Sequence, residues 1–359
     1  MKGTLVMNKV DGMKANLAAR HLYGDREDYG KMHEMISAFS ISQIVHTAAV
    51  YSLAEHLADG LATPAEIAAA ESINFDATFR LMSACASVGL MSYDGLDKFS
   101  ATPLLKTLHK DDPNSMRGAA LVLPAPGHWQ PWGRLTDAIR TGEPQAAAAL
   151  GRGLWEYFAD TPGEAKAFTQ TMKAMTASVS REAATLIDTQ AARMAVDIGG
   201  ASGTLVHALM GANPSLQGMV FDLPHVVSDA IKAAEALGFQ DRFSAVSGDF
   251  LVSAPSADLY LLKNVLIDWP DDACISILKN CRRAIDPNGR LILIDLVSEI
   301  GAPGIAPMAD LTMLILFGGK VRRLEEFAAL LTAAGFRFAK TTPTSTPFTL
   351  IEAIPDSAS

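Results

Sequence analysis

The stretch MAVDIGGASG at residues 194–203 is an apolar segment that ends near an acid, Asp197, and runs into a glycine-rich turn. A second apolar segment, GMVFD, ends at Asp222. Glycine adopts a positive φ without a Cβ clash, so such a turn brings the backbone close to a ligand. An acid at the end of the next strand can accept two hydrogen bonds from a ribose diol. Together the two segments predict an adenosine-containing cofactor at the carboxyl edge of a parallel sheet.

The chain after about residue 190 alternates apolar segments with helical ones. The strand candidates are MAVDI, GMVFD, FSAVSGDF, ADLYLLKNV, GRLILIDLV and FTLIEAI. Strands separated by helical segments predict an α/β fold with a Rossmann-like, parallel, doubly wound sheet. The last strand follows FRFAKTTPTSTP rather than a helix, and we expect it to pair antiparallel at the edge of the sheet.

The chain before this sheet has helical periodicity. Apolar residues recur at helical spacing from about Tyr29 to Leu57, and ATPAEIAAA begins a helix with Thr63 as N-cap and Pro64 at its first position. FDATFRLMSACASVGL predicts the following helix, ended by Gly89, and SYDGLDKFSAT predicts a short hairpin. Helix, helix, hairpin is the order of a winged-helix unit. We predict three parts, residues 1–110, 111–190 and 191–359.

Composition excludes several classes of protein. The 359 residues are 49% hydrophobic, and the net charge of −9 argues against a nucleic-acid partner, which needs a basic face. Residues 63–110 carry only four basic groups (Arg80, Lys98, Lys106 and Lys110), too few for a DNA-binding regulator. Three scattered cysteines match neither a disulfide framework nor a metal cluster. Without a signal-peptide or membrane-spanning pattern, we expect a cytoplasmic protein with no metal and no membrane partner.

Strand ends of the predicted sheet carry the candidate cofactor residues. They are Asp197, Gly199, Gly200, Gly203, Asp222, Asp249, Phe250 and Lys263. Each alone is as readily structural, but their order on successive strands indicates a site. The turn reads GGASG rather than GxGxxG, and no Walker lysine follows it. Asp197 would repel a pyrophosphate. The pattern therefore favours S-adenosyl-L-methionine, which is cationic and carries no phosphate.

With these residues in place, the chain resembles the S-adenosylmethionine-dependent small-molecule O-methyltransferases, of the plant caffeate type and its bacterial natural-product and pigment relatives. The matching stretches include VDIGGASG, FDLPHVV, SGDF, LLKNVLIDWPDD, MLILFGGKVRRLEEFAALLTAAGF, ATPAEIAAA, FSATPLLKTL and WGRLTDAIRTGEP. The resemblance implies a class I methyltransferase domain behind an N-terminal helical dimerisation domain with a winged-helix-like unit, and therefore a homodimer. It also implies cofactor contacts from Gly199, Asp222, Leu223, Asp249, Phe250 and Lys263.

One position departs from the family pattern. After the strand-four lysine the family reads L-H-D-W, and its histidine takes the proton from the substrate hydroxyl. Here the segment reads LIDW, so Ile267 holds the base position and cannot accept a proton. The resemblance maps one histidine-orienting acid to Asp295, a shorter residue, and the other to Val321. The proton-abstraction unit is therefore predicted to be dismantled.

Three interpretations follow from this departure. Methyl transfer to an oxygen, nitrogen or carbon atom of an aromatic or heteroaromatic molecule can proceed by proximity and desolvation alone, yielding S-adenosyl-L-homocysteine. Another group, His128 or Asp268, can serve as the base, although Asp268 also suits the cap of a helix that begins near Pro270. Alternatively, the cofactor is bound but not consumed, as an electrostatic element for pericyclic or hydroxylation chemistry.

The resemblance also suggests a substrate pocket between the domains. Methionine and aromatic side chains suit a flat apolar ligand, although the same spacing is typical of helix cores. The candidate lining residues are Trp129, Trp132, Phe168, Met172, Met175, Ile267, Trp269, Met313 and Phe317.

Overall fold

The computed structural model describes residues 26–112, 114–224, 226–301 and 304–356, and only the backbone of residues 170, 173, 175 and 176. The chain divides into two compact units, residues 1–125 and 126–359. The three-part division predicted from the sequence stays a prediction.

The first unit is helical with one hairpin. Its described elements are α1 (Glu27–Val50), α2 (Leu53–Ala58), α3 (Pro64–Glu71), α4 (Phe75–Ser87), β1 (Met91–Tyr93), β2 (Phe99–Ala101), α5 (Pro103–Lys106) and α6 (Arg117–Val122). Thr63 and Glu66 form a capping box at the start of α3, and β1 pairs antiparallel with β2. The predicted helix–helix–hairpin order is confirmed. The helical stretch from Tyr29 to Leu57 is divided, because Ser52 adopts a left-handed φ of 50° between α1 and α2.

The second unit begins with helices and continues into a sheet. Five helices come first: α7 (Pro126–Trp132), α8 (Leu135–Thr141), α9 (Ala146–Leu150), α10 (Leu154–Asp160) and α11 (Pro162–Leu186). The elements that follow are β3 (Met194–Ile198), α12 (Thr204–Ala212), β4 (Gln217–Asp222), α13 (Val227–Ala236), β5 (Phe243–Ser247), β6 (Ala257–Lys263), α14 (Asp271–Ala284), β7 (Ile285–Leu296), α15 (Ala306–Leu316), α16 (Leu324–Ala333), β8 (Phe336–Pro343) and β9 (Phe348–Pro355).

The sheet has the strand order β5-β4-β3-β6-β7-β9-β8, and β9 runs antiparallel to both of its neighbours. The predicted parallel α/β sheet is confirmed. The placement of the last strand at the edge was wrong, because residues 336–343 form the edge strand β8 and β9 lies between β7 and β8. The burial of the two strands explains this order. β9 has four buried residues, including Leu350 and Ile351, whereas only Phe336 of β8 is buried.

Both faces of the sheet are covered. Val196 and Ile198 of β3 pack in a core with α14 and α16, whereas Ala195 of the same strand packs in a second core with α11 and α12. Side chains alternate between the faces of a strand, so this division shows burial on both sides. Because both faces are covered, we expect a ligand to reach the sheet at the carboxyl ends of β3, β4, β6 and β7.

Candidate active site

The turn after β3 requires glycine at three positions. Gly199 and Gly203 have φ values of 65° and 76°. A Cβ on Gly200 would lie 2.7 Å from Cγ of Asp197, and one on Gly203 would lie 2.8 Å from the His207 ring. The turn thus passes directly over the Asp197 carboxyl, and a side chain on Gly200 would collide with that carboxyl.

Asp197 is 2% exposed at the end of β3. Burial raises the pKa of its carboxyl to about 7, while Lys263 and a hydrogen bond from the Val206 backbone oppose the rise. Burial also lowers the pKa of Lys263, which Asp197 partly restores. A buried carboxyl under a glycine turn gains from a positively charged ligand group, so these residues fit the sulfonium and ammonium of S-adenosylmethionine.

Asp222 ties the ends of two strands together. Its Oδ2 accepts a hydrogen bond of 2.9 Å from the Ala201 N–H in the glycine turn, and its Oδ1 accepts one of 2.7 Å from the Leu223 N–H. Leu223 is 45% exposed beside it. The acid predicted for the ribose therefore lies against the turn, as the sequence pattern requires.

Asp249 and Phe250 follow β5. Asp249 lies two residues beyond the strand, which ends at Ser247, and its Oδ1 accepts a 2.8 Å hydrogen bond from the Leu251 N–H. The Phe250 carbonyl accepts a hydrogen bond of 2.8 Å from Asn280 Nδ2, and the Phe250 ring meets Trp269 edge to face with centroids 5.9 Å apart. Trp269, assigned to the substrate pocket from the sequence, thus packs beside the ring predicted to stack on adenine.

The base position is apolar. Ile267 is 7% exposed in a single 3₁₀ turn, Leu266–Asp268, after β6. It belongs to the same hydrophobic cluster as the buried Val321, and the partly buried Met313 packs against that cluster. The two positions that depart from the family's proton-abstraction set therefore both carry buried apolar side chains. The backbone N–H of Val321 donates a hydrogen bond of 2.8 Å to Asp310 Oδ1.

Two carboxyls remain near this turn. Burial raises the pKa of both Asp268 and Asp295 to about 7, and Asp268 adds to the shift at Asp295. Asp295 Oδ1 accepts a hydrogen bond of 2.8 Å from the Leu296 N–H. The assignment of Asp268 as a helix cap was wrong, because the N-cap of α14 is Pro270, with no side-chain cap bond. Asp268 instead lies inside the 3₁₀ turn, with its carboxyl mostly removed from solvent.

Arg322 holds this turn in place, and sequence reasoning did not single it out. It is 1% exposed and donates to the Leu266 and Trp269 carbonyls, each at 2.7 Å. It also donates twice to Asp271 Oδ1, at 2.9 and 2.7 Å. The only sequence signal was an arginine that follows the glycine pair of GGKVRR.

Several candidate pocket residues meet in an aromatic cluster of the second unit. The His128 and Phe168 ring centroids are 6.0 Å apart. Trp155, which sequence reasoning missed, lies 5.8 Å from Phe168 and stacks on Phe317 at 5.3 Å. The fifth member is Phe158, 5.1 Å from Phe168. We call these five residues the aromatic cluster.

The other pocket candidates differ in exposure, and Trp132 packs in the same hydrophobic cluster as Phe158, Phe168 and Phe317. Trp129 on α7 is 37% exposed, Trp132 is partly buried at the end of the same helix, and Met172 is partly buried on α11. Met175 lies on α11, but its side chain is outside the described residues. Their role in substrate binding stays a prediction.

The described residues contain neither a candidate membrane span nor a candidate metal cluster. No helix in the described ranges is both long and apolar enough to cross a bilayer. Within the same ranges, no three histidine, cysteine or acidic side chains group in a way that could hold a metal ion.

Comparison with known proteins assigns a family to both parts of the chain. Residues 132–337 match the O-methyltransferase domain, and residues 33–111 match the O-methyltransferase dimerisation domain. The chain belongs to the O-methyltransferase family. It is a methyltransferase that uses S-adenosylmethionine, and its architecture is the class I methyltransferase fold with an N-terminal helical dimerisation domain.

Individual relatives cover nearly the whole chain. A phenazine O-methyltransferase of Lysobacter antibioticus is 31% identical over 90% of this chain and 95% of its own. The mitomycin biosynthesis 6-O-methyltransferase of Streptomyces lavendulae is 33% identical over 84% of this chain and 87% of its own. The structure of the mitomycin 7-O-methyltransferase superposes with a TM-score of 0.87, at 30% identity, over 94% of this chain and 99% of that one.

A further solved relative carries ligands. The O-methyltransferase of neocarzinostatin biosynthesis, in complex with S-adenosyl-L-homocysteine and 1,4-dihydroxy-2-naphthoic acid, has a TM-score of 0.80 at 30% identity. The match covers 88% of this chain and 96% of that one.

Proposed function

We propose that this methyltransferase acts on an aromatic or heteroaromatic small molecule of secondary metabolism and does so without a histidine base. The observation that carries the proposal is that Ile267 and Val321 are both buried members of one apolar cluster. Relatives named for phenazine, mitomycin and puromycin support an aromatic or heteroaromatic natural-product acceptor. The acceptor atom is an oxygen, nitrogen or carbon that is already nucleophilic.

The residues of the chain do the work of binding and orientation. Asp197 and Lys263 would hold the charged end of the cofactor, and Asp222 and Asp249 would hold its sugar and base. When bound, S-adenosylmethionine supplies an electrophilic methyl group. The apolar surface of Ile267 and Val321 excludes water from the acceptor side, and orientation of two reactants can contribute about 7–11 kcal/mol to a bimolecular reaction.

The test uses cofactor labelled in its methyl group and two phenols of different acidity. Without an enzyme base, the rate for each phenol should rise with pH as that phenol ionises. The two pH–rate profiles should therefore rise at different pH values, set by the pKa of each phenol. With the cofactor saturating, a shared inflection near pH 7 would instead indicate an enzyme group. Burial raises the pKa of both Asp268 and Asp295 to about 7, so loss of the inflection in Asp268→Asn would be needed to assign it to Asp268. Absence of labelled product and of S-adenosylhomocysteine with every aromatic acceptor, while the cofactor binds, would contradict the proposal.

The same apolar cluster favours one alternative, a non-methylating enzyme that keeps the cofactor as an electrostatic element. This alternative predicts turnover of a substrate that needs added S-adenosylmethionine, yet leaves all of the methyl label on the cofactor. Transfer of label to product at the rate of substrate loss would exclude it.

We propose further that the chain forms a homodimer through its first unit. Four apolar side chains recur at helical spacing on α1 and are 55–65% exposed: Met32, Met35, Ile36 and Phe39. An apolar stripe of this kind is buried in an interface, and a second copy of the chain is the occupant that the dimerisation domain implies. Ile36→Glu should shift the sedimenting species to a monomer. Ile139→Glu is the matched control, since Ile139 on α8 is 63% exposed, close to the 65% of Ile36. An unchanged mass for Ile36→Glu would contradict this interface.

A further inference from the structure

The imidazole of His128 is a buried polar group that the cofactor site does not use. The residue lies on α7 and is 4% exposed, and its Nδ1 is fully enclosed without a hydrogen-bond partner among the residues that the structure describes. A buried donor or acceptor without a partner costs stability, and native structures contain few of them. A bound ligand that hydrogen-bonds to Nδ1 of His128 would explain why this atom has no partner in the free protein.

The neighbours of His128 show what kind of partner would reach it. The ring lies 6.0 Å from Phe168 and 6.4 Å from Phe158, so its sides are aromatic. Trp155, the outer member of the aromatic cluster, is 57% exposed. The cluster therefore extends from a buried polar end at His128 to an accessible apolar end at Trp155.

The aromatic cluster is connected to the turn that carries the base position. Phe317 is followed by Gly318 and Gly319, and a Cβ on Gly319 would clash with the Ile267 carbonyl oxygen. The next residue, Lys320, donates its N–H to that same oxygen at 2.9 Å. Phe317 is therefore three residues from Lys320, which bonds directly to the turn of Ile267.

The position of His128 is fixed by an adjacent carboxylate. Glu164 of α11 accepts a hydrogen bond of 2.8 Å from the Gly127 N–H and one of 3.0 Å from the Tyr157 hydroxyl. A Cβ on Gly127 would clash with Glu164, so the contact is close. Phe168 follows Glu164 by one helical turn on the same face of α11. The start of α7 is thereby held against the helix that supplies the aromatic neighbour of His128.

We propose that His128 is a positioning and specificity residue, which hydrogen-bonds a hydroxyl or carbonyl on an aromatic substrate whose rings lie against the aromatic cluster. This inference rests on the proposed function. It adds that the aromatic acceptor carries a second polar group, separate from the atom that is methylated, and that His128 binds this second group. Burial lowers the pKa of His128 to about 4, so the imidazole is neutral at physiological pH and offers one donor and one acceptor. The same low pKa makes His128 a poor proton acceptor. The proposed role, hydrogen bonding to the substrate, is therefore different from that of a general base.

The test is equilibrium dialysis of naphthalene and 2-naphthol against the full chain saturated with S-adenosylhomocysteine. The two probes differ by one hydroxyl, and neither assay requires methyl transfer. We expect 2-naphthol to bind the unmodified protein about tenfold more tightly than naphthalene. His128→Leu should abolish this preference, leave naphthalene binding within about twofold and raise the melting temperature, because it removes an unpaired polar atom. His128→Asn keeps a polar atom near the position of Nδ1 and should retain part of the preference.

Two results would overturn the proposal: no preference in the unmodified protein, or the same preference in His128→Leu. His128→Phe is a second apolar variant, so the test does not depend on the folding of one protein. A purely structural histidine would instead lower the melting temperature of the apolar variants and leave the preference unchanged. Absence of methyl transfer alongside the expected dialysis results would count against the proposed function alone.

Discussion

At the carboxyl edge of the sheet, the ends of β3 and β4 carry Asp197 and Asp222, each in close contact with the glycine turn. The turn after β6 carries Ile267, buried in one cluster with Val321. The first region places buried or hydrogen-bonded carboxyls at the turn predicted to bind the cofactor, whereas the second has apolar side chains at Ile267 and Val321. The second turn is also held by hydrogen bonds, since Arg322 donates to the Leu266 and Trp269 carbonyls.

The difference teaches that binding of the methyl donor and activation of the acceptor are separable. Asp222 acts through bonds to the backbone of a neighbouring strand end, so it cannot be replaced without loss of the turn geometry. The base position is a side chain on a turn whose backbone is fixed by other residues. Its chemistry can therefore change while the fold of the turn is kept.

The largest expected effect concerns the cofactor side. Asp222→Ala removes two hydrogen bonds to backbone N–H groups, each of about 1.5–3 kcal/mol for a charged acceptor. The affinity for S-adenosylhomocysteine should fall about 100-fold or more in calorimetry. Asp229→Ala is the control, since Asp229 is an exposed acid on α13 paired with Lys232 at 3.5 Å. An unchanged affinity in Asp222→Ala would mean that the cofactor does not lie over this turn.

A second test compares two glycines of similar backbone conformation. Gly203 and Gly238 have φ values of 76° and 72°, but a Cβ on Gly238 would meet nothing within 4 Å, whereas one on Gly203 would meet His207 at 2.8 Å. Backbone strain alone should cost Gly238→Ala about 1 kcal/mol of unfolding free energy. Gly203→Ala should lose about 2–4 kcal/mol, because overpacking adds to the strain. Urea unfolding measures both values, and equal losses would show that the turn tolerates a side chain.

Much of the cofactor side could be predicted from the sequence, because strand ends, glycine turns and acids are adjacent in the chain or one strand apart. The order of β9 and β8 could not be predicted, because β8 follows α16 directly but has only one buried residue, so it lacks the apolar run that marks β9 as a strand. The aromatic cluster was only partly predictable. Trp155 stacks on Phe317, which is 162 positions later in the sequence, and no local sequence pattern predicts such a contact. Arg322 likewise donates hydrogen bonds to carbonyl groups of residues more than 50 positions earlier in the sequence, and no sequence spacing predicts these bonds.

The third test restores the acceptor side. Ile267→His combined with Val321→Glu places a base and an orienting acid at the positions where the family carries them. A positioned general base typically contributes 10²–10⁴-fold, so recovery of a small part of that effect should raise methylation of a weakly acidic phenol by about tenfold or more. The paired variant Ile267→Leu with Val321→Ile keeps the cluster apolar and should show no gain. No gain in the polar pair would mean that the acceptor is held away from this turn.

The smallest expected effect is a pH dependence that separates the two regions. Burial raises the pKa of Asp197 in the ligand-free chain to about 7, against an ordinary value of 3.8. The stability that this group contributes is therefore fully present below about pH 3.8 and is lost as the pH rises through about 7. The binding of a cationic ligand has the opposite sign, because it favours the ionised carboxylate.

The affinity for S-adenosylmethionine, whose sulfonium and ammonium groups are both cationic, should accordingly rise about fivefold between pH 6 and pH 8, and binding at pH 6 should release a fraction of a proton. Asp197→Asn should remove both effects. Asp295→Asn is the matched control on the acceptor side, since burial raises the pKa of Asp295 to the same value of about 7. If calorimetry in buffers of different ionisation enthalpy showed proton release lost in Asp295→Asn but kept in Asp197→Asn, the charge that responds to the cofactor would lie on β7. The division between a cofactor side at β3 and β4 and an acceptor side at β6 and β7 would then be wrong.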